Sequence, residues 1–374
     1  MVKTINLWIV PEGWSIILSA FGGINNIQID IYMKILAIDT SADETSASVT
    51  EGRRVLSSVL YSQIEMHNQW GGIVPSLAKR NHIERIDGII AKALKRAQLS
   101  FSDIDAFAVT YGPGLAMGLE VGVTKAKELS NLHNKPLIAV NHLAGHIYSV
   151  FVQNKMGNPV RPIEYPYLGL IVSGGNTILL ILKSDLEFEI LGETLDDASG
   201  EALDKAARLM GLGYPGGMAI ERLAEEVKNE DKYKFPRPLW KEKKIVFSFS
   251  GLKTAFLYFY RKLSPEEQIN SIAHLSSSYQ EAVFDCIIQK TGFAIQQTGI
   301  TKLVVGGGVI ANKHLRNKLR RLMKSHNGTV YFPPFKYLTG DNAGMIGVVA
   351  GLKAQKKEFV ANIESLERVP RLGL

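Results

Sequence analysis

An α/β fold of two related lobes facing each other across a cleft is what three observations predict. At 374 residues the chain exceeds the size at which one hydrophobic core usually stops growing, so two lobes are expected. Short apolar runs and helical stretches follow the order βββαβαβ, and then follow it again. In each pass a glycine turn opens onto a helix at the same point of that order.

The first pass begins with KILAIDT (34–40), ETSASVT (44–50) and RVLSSVLYS (54–62). These read as a three-strand antiparallel meander, being strand-length apolar runs separated by turns. A helix is expected at about 73–97, where Ile83, Ile86, Ile90, Ala93, Leu94 and Ala97 recur at helical spacing. A strand at 104–110, the turn YGPG (111–114), a helix to about His133 and the strand PLIAV (136–140) complete the pass.

The meander returns as YLGLIVS (167–173), NTILLILK (176–183) and EFEILGE (187–193). A long helix follows, marked by Ile269, Ile272, Leu275, Tyr279, Val283 and Ile287. After it come a strand at 302–305, the turn GGG (306–308), a helix from about Asn312 and a strand at 329–332. Such duplication resembles the actin/sugar-kinase-like (ribonuclease H-like) superfamily, whose two lobes hold nucleotide between them on glycine turns. The first lobe is placed at 33–141, joined by a C-terminal helix at about 342–360. The second is placed at 142–341, and 361–374 is a tail. Ser173 to Gly306 is nearly twice as long as Thr40 to Thr110, so the second lobe carries an insertion, at about 195–262.

The chain carries a net charge of +7 with a pI near 9.2, which suits a polyanionic partner. The single cysteine, Cys286, excludes an internal disulfide framework and suits a reducing cytoplasm. Residues 1–32 hold two short apolar runs interrupted by Pro11, Glu12 and Gly13, neither long enough to span a bilayer. They lack the continuous core of a signal peptide and the arginines of a mitochondrial presequence. Met33 is taken as the functional start and the first 32 residues as an appended or mistranslated leader.

His142 and His146 lie four apart in NHLAGH (141–146), so a helix beginning at about Asn141 puts both imidazoles on one face. They read either as two ligands of one metal ion or as a partly buried pair at a helix start. No glutamate follows His142, which argues against a thermolysin-like peptidase. Asp341, in TGDNAGMIG (339–347), reads as a helix cap or as a third ligand. Asp43 and Glu44 crowd the first-strand turn, as local backbone acceptors or as a general base. Asp196 and Asp197 read as caps of a helix at 198–210, whereas Asp204, deeper in it, is placed to accept from a pair of ribose-like hydroxyls. Asn312 either caps its helix or reaches ligand. The helix it opens is rich in Lys and Arg, a solvated face or a nucleic-acid surface.

Together these segments resemble the tRNA threonylcarbamoyladenosine family, TsaD in bacteria, formerly called O-sialoglycoprotein endopeptidases. The likeness is carried by ILAIDTSADETSASV, GGIVPSLAKRNHIE, YGPGLAMGLEVG, NHLAGH, VSGGNT, GETLDDASGEALDKAARLMGLGYPGG, FSFSGLKTA, GGGVIANKHLR and TGDNAGMIG, which span about 34–350. The unbroken GETLDDASGEALDK segment and GLGYPGG look bacterial, and Asn176 looks archaeal. The family's first turn usually reads ETSCDET, so Asp39 and Ala42 are departures.

The resemblance implies that His142, His146 and Asp341 bind one divalent metal ion, Fe2+ or Zn2+. It implies substrate contacts from Ile171, Val172, Ser173, Gly174, Gly175, Asn176, Asp204, Gly217 and Asn312, with Glu221 near the ribose. The implied reaction moves the threonylcarbamoyl group of threonylcarbamoyl-AMP to N6 of adenosine 37 in tRNAs reading codons that begin with A; for that reaction Asp43 and Glu44 are this reading's own candidates to accept the amine proton. Implied partners are tRNA, a paralogous actin-like subunit and a small P-loop ATPase, in the cytoplasm and with no membrane. An inactive platform subunit or an actin-like ATPase is the alternative, and a metallopeptidase is disfavoured.

Overall fold

A computed structural model of the chain describes residues 15–18 and 29–374. Most of the expected leader, residues 1–32, lies outside the described residues. Its two described stretches, Ser15–Leu18 (β1) and Ile29–Tyr32 (β2), pair as an antiparallel ribbon.

The first five-stranded sheet contains Lys34–Asp39 (β3), Glu44–Glu51 (β4), Arg54–Ser62 (β5), Ala106–Gly112 (β6) and Leu137–Asn141 (β7). Its order is β5-β4-β3-β6-β7, antiparallel through the meander and parallel from β3 onward. Its helices are Ile64–Asn68 (α1), Pro75–Ala97 (α2), Ala116–His133 (α3) and His142–Tyr148 (α4). The second sheet contains Tyr167–Val172 (β8), Thr177–Ser184 (β9), Glu187–Glu193 (β10), Lys302–Gly306 (β11) and Thr329–Tyr331 (β12). Its order, β10-β9-β8-β11-β12, repeats the first with the same strand directions. Helices Ser199–Leu209 (α5), Gly216–Glu226 (α6), Ser250–Lys262 (α7), Pro265–Asn270 (α8), Ile272–Thr298 (α9), Lys313–Ser325 (α10) and Ala343–Gln355 (α11) complete the chain.

Local chemistry sets the boundaries. Helix α2 starts at Pro75, two residues after the expected start, because proline at the first helical position gives up an N–H that has no partner there. The helix expected to include Ile269 divides in two. Ser264 and Glu267 form a capping box that opens α8, and exposed Ile269 belongs to α8 while Ile272 opens α9.

Helix α4 lies where the two sheets meet. Its residues Ile147 and Tyr148 share one core with Ile35 and Ala37 of β3, Ile171 of β8, Val304 of β11 and Met345 and Ile346 of α11. All seven residues of α4 are buried. Each large apolar side chain so buried contributes about 1.5–3 kcal/mol, so the helix is held from both sides.

Candidate metal centre in the interlobe cleft

The Asn141 side chain accepts the Leu143 and Ala144 N–H groups at 2.8 and 3.4 Å, which starts α4 at His142. One turn later His146 lies on the same face, and the two rings stand 4.6 Å apart, nearly perpendicular. Asp341 is not a cap. The cap of α11 is Asn342, whose Oδ1 accepts the Met345 N–H at 3.0 Å. The Asp341 carboxylate turns instead to the imidazoles, with Oδ1 3.2 Å from His142 Nε2 and 3.3 Å from His146 Nε2.

One donor atom from each of these residues lies within 4.8 Å of the others. His146 Nε2 is buried and, despite that 3.3 Å separation, lacks the alignment of a hydrogen bond. A divalent ion satisfies such a donor set: two imidazole nitrogens and a carboxylate aimed at one point, with positions left for substrate. The other nitrogen of His142 is oriented by the Ser41 hydroxyl at 3.2 Å, with Asp39 at 3.8 Å. Burial opposes charge on His142, but the Asp341 carboxylate outweighs it and the imidazole is pushed up to about 9. Burial and then the His142 charge lower His146. Asp341 is held well below the usual carboxylate range, since the two imidazoles overcome its burial.

The centre opens into a cleft of about 1080 Å³. Asp43, after β3, and Glu44, at the start of β4, line it. Burial raises Asp43, and burial and the neighbouring Asp43 and Asp341 charges raise Glu44 well above its ordinary value. Asp43 Oδ2 has no hydrogen-bond partner among the described residues. The loop holding them is braced by His82, whose ring meets Thr45 Oγ1 at 2.8 Å and the Ala42 carbonyl at 3.1 Å.

On the other wall Ser173, Gly174, Gly175 and Asn176 form a turn in which the Ser173 N–H donates to the Asn176 carbonyl at 2.8 Å. A β-carbon at Gly174 or Gly175 would meet nothing within 4 Å, so the space beside this backbone belongs to the cleft. Ile171 and Val172 end β8 with side chains wholly buried, and bear on the cleft by holding that turn. Asp204 accepts the Gly217 N–H at 3.1 Å, and burial raises its pKa. Gly217 and Glu221 also line the cleft, and Glu221 accepts the Lys313 N–H at 2.8 Å. Asn312 lines it too: its Oδ1 caps α10 through Leu315 N–H at 3.0 Å while its amide donates to Gln280 at 2.7 Å. All fifteen residues expected at the site therefore sit in or directly behind one cleft.

Some expectations fail here. Asp196 and Asp197 do not cap the helix that follows them. Asp196 accepts from the Ser248 and Ser250 hydroxyls and from the Phe249 and Ser250 N–H groups, clasping the FSFSG segment to the loop before α5. Asp197 pairs with Lys205 at 2.7 Å and Lys253 at 3.0 Å. On basic helix α10, Lys318 pairs with Glu281 and Asp285, His314 with Glu281, and Arg320 lies over the Phe332 ring, while Lys313, Arg321 and Lys324 are exposed.

Sequence reasoning missed Ser41, Tyr214 and residues 370–374, all of which line the cleft. It also missed a clasp at the rim, where Asn68 accepts the Tyr214 N–H at 3.1 Å and the Arg208 guanidinium donates to the Gly71 carbonyl. The glycines of these loops were the available signal.

A family model described as TsaD, tRNA N6-adenosine threonylcarbamoyltransferase, matches residues 54–348. Curated relatives of that name from Kosmotoga olearia and Thermosipho africanus are 46% and 42% identical, over 87% and 91% of this chain and 95% and 100% of theirs. Among solved structures, HypF of T. kodakarensis aligns with a TM-score of 0.59 and 17% identity over 87% of this chain and 48% of that one. An activator of 2-hydroxyisocaproyl-CoA dehydratase from Clostridium difficile with bound ADPNP aligns at 0.50 and 14%, over 88% and 99%. At those identities the likeness shows the fold alone, the two-lobed actin/sugar-kinase-like fold. By the extent of the family match and of its relatives, the chain belongs to the TsaD family of tRNA N6-adenosine threonylcarbamoyltransferases.

Proposed function

We propose that the protein transfers the threonylcarbamoyl group of threonylcarbamoyl-AMP to N6 of adenosine 37 in tRNAs that read codons beginning with A, releasing AMP. Beside family membership, one observation carries this reading: two imidazoles and a carboxylate converge at the mouth of a cleft whose far wall is the open Ser173–Asn176 turn. His142, His146 and Asp341 hold one divalent ion, Fe2+ or Zn2+, which when bound supplies Lewis-acid and templating chemistry to an acyl phosphate.

The residues of the chain do the rest. The bare backbone at Gly174 and Gly175 lets the adenylate lie close, while Asp204, Gly217, Glu221 and Asn312 line its path. N6 attacks the carbamoyl carbon, the carbon–oxygen bond to phosphate breaks and AMP departs. Asp43 or Glu44 takes the proton the amine sheds, a role favoured by burial, which raises the proton affinity of both. No serine or cysteine nucleophile is needed.

In this reading the lobes are 33–141 with 342–360, and 142–341 with the insertion at 195–262. The partners are tRNA, a paralogous actin-like subunit and a small P-loop ATPase, in the cytoplasm. Among the described residues no helix is long and apolar enough to cross a membrane. Purified protein, with those partners supplied, should modify unmodified tRNA from threonylcarbamoyl-AMP and stop when a chelator strips the metal. A platform subunit or an ATPase would transfer nothing.

A further inference from the structure

The cleft has a charge imbalance. Asp43, Glu44, Glu193, Asp204, Glu221 and Asp341 line it, and among the described residues Arg371 is the only lysine or arginine that does. Both reactants of the proposed transfer are anions, one an acyl-adenylate and the other a polynucleotide. Bringing either into a carboxylate-lined groove costs Coulomb energy unless a cation meets it. Arg371 is exposed, and no ion pair or side-chain hydrogen bond ties it to another described residue although six carboxylates share its cleft.

The backbone on both sides of Arg371 is fixed while its side chain is left free. The Val369 N–H donates to the Tyr111 carbonyl at 2.7 Å, the Gly114 N–H donates to the Pro370 carbonyl at 3.2 Å, and the Asn141 amide donates to the Gly373 carbonyl at 2.7 Å. A β-carbon at Gly112 would overlap the Val369 carbonyl, so the first-lobe glycine turn is shaped to receive this segment. Asn141 is also the residue that caps α4, so the segment is tied to the start of the helix that carries both histidines.

We propose that Arg371 is the phosphate-binding residue of the cleft, a guanidinium fork held out by a backbone-anchored strap to receive a phosphate oxygen pair. Such a fork matches a phosphate in two parallel hydrogen bonds, which a lysine cannot reproduce. The inference rests on the acyl-transfer reading, and the phosphate is that of the acyl-adenylate or one of the tRNA backbone.

The test uses the full chain with its partners and three variants, R371A, R371Q and R371K, of which the last two keep the aliphatic stem. AMP binding is measured by calorimetry, and binding of unmodified tRNA at several salt concentrations, with metal content and melting temperature followed alongside. If the phosphate belongs to the adenylate, all three variants lose roughly tenfold or more in AMP affinity, R371K least, and keep tRNA affinity. If it belongs to tRNA, AMP binding holds while tRNA affinity falls and the slope of log affinity against log salt shrinks by about 1. AMP affinity, tRNA affinity and salt slope all within twofold of the parent in R371Q would overturn the proposal. A parent protein that transfers nothing would instead remove the acyl-transfer reading, and the two binding arms would still decide whether Arg371 takes a phosphate.

Discussion

Asn342 caps helix α11 in place of its neighbour Asp341, and that exchange of roles is what releases a carboxylate to the two histidines. Asn342→Ala should therefore act twice: the helix start loses about 1 kcal/mol, and metal affinity falls because the Asp341 turn is no longer fixed. Asp341→Ala should remove the metal while leaving the Asn342 cap of α11 in place. Metal content by elemental analysis beside a denaturation curve separates the two, and a fully metal-loaded Asp341→Ala would refute the ligand assignment.

Metal loading should release a proton. In the metal-free protein Asp341 pushes His142 up to about 9, so its imidazole is charged at neutral pH and must give up that proton to coordinate. Affinity should then climb by up to tenfold per pH unit from pH 7 toward 9 and flatten above. A competition titration across pH 7–10 that came out level would contradict this.

Gly306→Ala should weaken the metal centre without replacing a ligand. A β-carbon there would overlap the His146 carbonyl, so α4 has to shift or the turn has to open. Overpacking of this kind costs roughly 1–3 kcal/mol. Lower thermal stability with unchanged metal affinity would show that α4 absorbs the strain elsewhere.

Alanine at both Asp43 and Glu44 should abolish transfer while leaving metal content as in the parent, because neither carboxylate belongs to the donor set. Undiminished transfer by the double variant would remove both as proton acceptors.

Glu281 offers a test of stability away from the cleft. Burial works against its charge, but His314 and Lys318 outweigh it and hold the carboxyl below its ordinary value. A carboxylate lowered in this way stabilises the fold above its unfolded-state value and ceases to do so as pH falls through the folded-state one. Glu281→Gln should cost about 2 kcal/mol at pH 7, and the gap from the parent should close progressively below about pH 4.5. Urea unfolding at pH 7 and pH 4 measures it.

How much could be read from the sequence follows the range of the interactions involved. The two meanders and long helices declare themselves because strand and helix periodicities are local, and so does the i, i+4 pairing of His142 with His146. Asp196 misled because its partners, Ser248 to Ser250, lie more than fifty residues away, and nothing local separates a carboxylate that caps its own helix from one that clasps another. The 369–374 strap was illegible for a different reason. It is held by backbone N–H and carbonyl groups, which every sequence possesses, and its docking site is defined by the side chain that Gly112 lacks.

The rim clasp between Asn68 and Tyr214 and between Arg208 and Gly71 is slight. Two exposed hydrogen bonds contribute roughly 1–3 kcal/mol between them, so thermal motion alone would part them in something like one molecule in ten to one in a hundred. A rim closed so lightly opens on thermal motion alone, with no other source of energy.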